Sequence, residues 1–160
     1  MGVEVKFTKR SIDNYFSNVL KIVNEEFIRT FSYLGEQAVK KVRNRPGAES
    51  WFDQTGNLRS SIGYAVASHG KKQIESAFEQ VLDGKEGAQK GRQFIDELIS
   101  MYNETYALIV VAGMDYAERV EALDNKDVLA STEIWAKSVL DSYVKRTINR
   151  IESRIRKLSL

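Results

Sequence analysis

The chain has 160 residues, 42% hydrophobic and 29% charged, a composition expected of one soluble domain spanning residues 1–160. With no cysteine and one histidine, His69, it excludes disulfides, thiolate zinc sites and histidine-pair metal centres. The net charge of +2 is unevenly spread: residues 1–46 carry +4, residues 47–141 carry −7 and residues 142–160 carry +5.

Residues 9–45 predict one long helix. Ile12, Phe16, Val19, Val23, Phe27, Phe31, Leu34, Ala38 and Val42 follow one another in steps of three or four, a helical stripe. Thr8 or Ser11 can cap it, and Pro46-Gly47 ends it. At 1.5 Å per residue it would run about 55 Å, beyond the ~30 Å width of a compact domain this size. Such a helix must bend, break near Tyr33–Gly35, or project to meet another chain.

A turn-rich link follows over residues 47–56, with Trp51 and Phe52 expected to anchor on the core or on a partner. Leu58–Ser61 reads as one helical turn. Ile62, Tyr64 and Val66 then alternate with small residues, as in a half-buried strand ending near His69-Gly70. Residues 71–102 read as a helical insert. Its stripes are Ile74, Phe78, Val81 and Leu82, then Phe94, Ile95, Leu98, Ile99 and Tyr102. Between them residues 83–91 (DGKEGAQKG) hold three glycines and read as a mobile loop.

Tyr106–Gly113 is a continuous apolar run, read as a buried strand. Residues 114–122 form a short helix and residues 124–127 a loop. A final helix is expected from a Ser131 or Thr132 cap, with Glu133 in its first turn and the stripe Trp135, Val139, Tyr143, Ile148, Ile151, Ile155 and Leu158. The fold class is therefore α+β: long N- and C-terminal helices and a helical insert packed on a small, mostly antiparallel sheet. A further strand would come from residues 2–7 or from a neighbouring subunit.

The residues offer little chemistry. Asp115, Glu118, Glu121, Asp124 and Asp127 recur at every third position. On a helix each such step drifts about 60°, so they cannot converge on one ion and read as an acidic ridge, solvated or between subunits. His69 reads as a turn residue. Ser60 and Ser61 lack a nucleophile elbow, and Lys85 lacks a phosphate loop around it. No catalytic residue, cofactor or metal site is expected. Lys145, Arg146, Arg150, Arg154, Arg156 and Lys157 make the last helix basic, an arrangement that suits phosphate contacts along DNA. They scatter around the helix rather than line one face, which favours helix-end complementarity and pairing with the acidic middle. The start of the chain, MGVEVKFTKR, has no apolar signal-peptide core and no myristoylation pattern, and no apolar run reaches the ~20 residues of a membrane span. The protein is expected to stay in the cytoplasm.

Two short segments stand out. Thr55, Gly56, Leu58 and Ser61 form the pattern TGxLxxS, and Tyr116, Ala117, Val120 and Glu121 form YAxxVE. In this order, between two long amphipathic helices, they resemble signatures of the tailed-phage head–tail joining proteins, also called tail-completion, neck or minor capsid proteins. Tyr106–Gly113 occupies that family's strand before YA. Where many members continue with Gly-Thr, this chain has Ala122-Leu123-Asp124. Arg59 and Glu121 are placed to pair across the two motifs. The resemblance implies a non-enzymatic structural protein of a phage or prophage. It would form a ring-shaped homo-oligomer with connector, neck and tail proteins, in the bacterial host cytoplasm during assembly and then in the virion. The alternative is a DNA-binding module using the basic C-terminal helix.

Overall fold

The computed structural model of the protein describes residues 7–45, 53–123 and 127–158, together with residues 2, 4 and 51. The fold is α+β, with five helices around a three-stranded antiparallel sheet among the described residues.

Helix α1 (Lys9–Arg43) runs unbroken for 35 residues, about 52 Å at the standard rise. A capping box starts it: the Ser11 N–H donates to Thr8 Oγ1 at 3.1 Å, and the Thr8 N–H to Ser11 Oγ at 3.2 Å. It neither breaks nor needs to at Gly35, where the ring of Tyr64 packs so closely that a Cβ would sit 2.3 Å from it. The expected Pro46-Gly47 stop lies outside the described residues, as does Phe52; Trp51 is buried in the core as expected.

Helix α2 (Asn57–Ser60) is the expected single turn, and strand β1 (Ile62–Ser68) follows it. The predicted helix from residue 71 is instead strand β2 (Lys71–Glu75), paired antiparallel to β1 through a tight turn at His69 (φ 51°) and Gly70 (φ 72°). Its KKQIE sequence looks helical because it is an edge strand: four of its five residues are exposed and no alternation is imposed on them. Helix α3 (Lys85–Ile99) begins inside the segment read as a mobile loop. Gly87 and Gly91 are there for close approach, since a Cβ on Gly87 would meet the Asn57 carbonyl at 1.9 Å and one on Gly91 the Phe78 ring at 2.3 Å. The helical insert over 71–102 is thus a strand, an extended segment and a 15-residue helix.

Strand β3 (Tyr106–Ala112) pairs with β1 from Ile62↔Ala112 to Ser68↔Tyr106, giving the order β2-β1-β3. The third strand is β2. The alternative over residues 2–7 falls largely outside the described residues. Helices α4 (Ala117–Leu123) and α5 (Ala130–Ile155) complete the fold.

The sheet lies between two helical layers, so β1 is buried on both faces rather than half-buried. Period-two alternation sends Ile62, Tyr64 and Val66 toward α1, and Ala65 and Ala67 toward α3. On β3, Leu108 and Val110 face α1, while Ile109 and Val111 join Ile95, Ile99 and Phe78 under α3. Helix α5 lies antiparallel on α1. Lys41 sits over the Trp135 ring, Tyr33 beside Tyr143, and the Thr30 and Thr147 hydroxyls bond at 2.7 Å in the buried seam.

Candidate functional site

The TGxLxxS segment is tied down by side chains outside the pattern. The Asp53 carboxylate accepts the Gly56 N–H at 3.0 Å and the Arg59 N–H at 2.8 Å, which closes the turn. Gly56 has φ 77°, and a Cβ there would lie 1.8 Å from the Val81 carbonyl oxygen, so glycine is required twice over. Leu58 is buried in the core. The Ser61 hydroxyl donates to the Leu58 carbonyl at 2.8 Å, and the Ser61 carbonyl accepts the Gly113 N–H at 3.2 Å. Asn57, within the motif but unassigned by it, accepts the Gly87 N–H at 3.1 Å and so caps α3. The turn therefore joins the end of α1, the start of α3 and the end of β3.

The YAxxVE segment lies against it. Tyr116 is half-exposed beside Thr55 and Asp53. Burial raises its phenol above the ordinary 10.0, and the carboxylates of Asp53 and Glu86 add to this. Ala117 is buried, its N–H on the Met114 carbonyl, and Val120 packs on the core. The two motifs meet through Tyr116 and Thr55.

Arg59 and Glu121 do not pair. The Arg59 guanidinium stacks on Trp51, 5.0 Å from the ring centre, and donates to the Arg43 carbonyl at 2.7 Å. Glu121 Oε1 accepts the N–H groups of Val128, Leu129 and Ala130 at 3.2, 3.1 and 2.8 Å. It caps α5 from a neighbouring helix, placing a carboxylate at a helix N-terminus. The expected caps, Ser131 and Thr132, instead accept from Arg45. Asp127 accepts the Ser131 N–H at 3.1 Å and lies 3.1 Å from Arg45. Burial acts to raise the Asp127 carboxyl, but the bonds from Ser131 and the Arg45 charge outweigh it and hold the group below 3.8.

The acidic series thus divides into separate roles. Asp115 pairs with Lys90 at 3.0 Å, Glu121 caps, Asp127 meets Arg45, Glu118 faces solvent, and Asp124 lies outside the described residues. Between α3, the β3–α4 turn and the start of α5 lies an open cleft of about 500 Å³. Phe94, Met114 and Leu129 line it together with Glu97, Asp115 and Glu118.

The basic helix is partly engaged within the molecule. Arg150 and Arg154 hold the buried Glu26 carboxylate at 2.8 and 3.0 Å, and Arg154 also reaches Glu25 at 2.8 Å. Hydrogen bonding to Arg150, with Arg154, holds Glu26 below 4.5 against the opposing effect of burial. The pairing is with α1 rather than with the acidic middle of the chain. Among the described residues no helix is long and apolar enough to cross a membrane. No protein-family model, curated protein or solved structure matches the chain.

Proposed function

We propose that this chain is a structural, non-enzymatic assembly protein of a tailed phage or prophage, one that joins head to tail or completes the tail. The observation that carries the reading is the meeting of the two signature segments: Tyr116 of YAxxVE sits against Thr55 of TGxLxxS. Segments 55–61 and 116–121 thereby meet near the ends of α1 and β3 and the starts of α3 and α5. Long helices that pack along one another, as α1 and α5 do, offer extended surfaces to a subunit repeated around an axis. Its partners are copies of itself and the connector, neck and tail proteins, first in the host cytoplasm and then in the virion.

Native mass spectra of the purified protein over a wide concentration range, with electron microscopy of the same samples, test the reading. A closed oligomer of one copy number, or addition of the chain to purified head–connector particles, is expected. A chain that stays monomeric and leaves such particles bare overturns it. The DNA-binding alternative requires affinity for duplex DNA that falls steeply with salt. The engagement of Arg150 and Arg154 with Glu25 and Glu26 leaves fewer cations for phosphate.

A further inference from the structure

We propose that the first turns of α1 in one copy, residues 9–21, dock into the acidic cleft of a second copy, head to tail. The inference deepens the assembly reading and rests on it for taking the partner to be the same chain.

The antiparallel pairing of α1 with α5 places Glu25 and Glu26 beside Arg154. Helix α5 ends at Ile155, so the turns of α1 before Ile22 extend beyond it. These turns stay helical, yet Ile12, Phe16 and Leu20 are 39%, 59% and 67% exposed. Their i, i+4, i+8 spacing makes one narrow apolar stripe, the pattern of a helix that fills a groove. Val23 and Phe27, the next stripe residues toward the body, are partly buried, and Phe27 stacks on Tyr106 with ring centres 5.0 Å apart. The apolar periodicity therefore continues past the molecule that should cover it.

The cleft has the complementary character. Phe94, Met114 and Leu129 line it, and Glu97, Asp115, Glu118 and Glu121 outnumber Lys90 around it, net −3. The projecting turns carry Lys9, Arg10 and Lys21 against Asp13, net +2. Pairing two arms with each other would oppose like charges, whereas arm to cleft joins opposite ones. The arm cannot fill its own cleft. That cleft lies at the other end of α1, beside Arg45 and Asp127, about 45 Å away by the helical rise from Asn14 to Asn44. A contact between different patches of two copies is heterologous, the kind that closes into rings when the rotation permits.

The absence of cysteine makes the test direct. Ser17→Cys in one chain and Glu118→Cys in another are mixed in the full-length protein and oxidised. Mixed 17–118 dimers are expected at least tenfold in excess of either like pair. Adding Phe16→Asp and Leu20→Asp to the first chain should reduce them at least tenfold with an unchanged melting temperature. Predominant 17–17 dimers would show that the arms pair with each other and overturn the proposal, as would an unaffected yield in the double variant. Rings seen by electron microscopy without 17–118 cross-links overturn this contact and keep the assembly reading. Cross-linked 17–118 chains without closed rings keep the contact and count against the ring.

Discussion

The two halves of α1 share one periodicity and have opposite surroundings. From Phe27 to Val42 the stripe packs on β1, β3 and α5, while Ile12, Phe16 and Leu20 carry the same pattern into solvent. Periodicity reports that a face is apolar; it does not report which molecule covers it. The contrast predicts that substitutions in the second half act on folding, and those in the first half on association.

Leu34→Ala should produce the largest loss, about 3 kcal/mol, because it opens a cavity in the main core. Leu20→Ala should stay within about 0.5 kcal/mol. Urea unfolding of both variants measures the gap, and equal losses would remove the distinction between the halves.

Glu26→Ala breaks a buried carboxylate away from Arg150 and Arg154. Loss of a fully buried pair costs about 3–5 kcal/mol. The two arginines are 42% exposed and regain water, so about 2 kcal/mol is expected. Asp13→Ala, in the exposed half, should be neutral by the same assay.

Glu121→Ala should cost about 1 kcal/mol, the usual value of a lost helix cap. Hydrogen exchange should locate the loosening at residues 128–131, at the end of α5 that meets the base of α1 and far from the arm.

The last effect is absent at neutral pH and appears only in alkali. Burial, then hydrogen bonding to the Glu36 carboxylate 3.0 Å away, pushes the Tyr64 phenol up to about 12 from 10.0. Its folded value is raised, so the contribution is complete below pH 10 and is lost as pH rises toward about 12. Tyr64→Phe should flatten that part of the stability curve. Proteolysis at the arm should not follow it.

Much of the fold was legible in the sequence. The stripe of α1, the apolar run of β3 and the alternation of Ile62, Tyr64 and Val66 each reflect burial that the residues record directly. β2 was not legible, because an exposed edge strand such as KKQIE carries no alternation; His69-Gly70 was its one signal. The start of α3 is hidden in the sequence by its glycines. Gly84, Gly87, Ala88 and Gly91 lie on one helical face together with Ile95 and pack against α2 and Gly113, so the same residues that suggest flexibility allow close contact. The site was legible as two motifs, but not their fastening. Asp53, three residues before Gly56, has the spacing of a local turn bond, the one signal of that fastening in the sequence. Glu121 serves α5 from a neighbouring helix, a contact that no local spacing marks.

The seam between α1 and α5 also has a consequence in time. Thr30 and Thr147 are 117 positions apart, and at roughly 5–20 residues per second a ribosome needs on the order of ten seconds to supply the second after the first. Throughout that interval Glu26 lacks Arg150 and Arg154, and Phe27, Phe31 and Leu34 lack α5, with no complete sheet beside them until Ala112 has been made. Nascent chains on one message, each presenting a bare α1, are then at their most adhesive. Crowded translation should therefore limit the yield of folded protein more than the stability of the finished fold does.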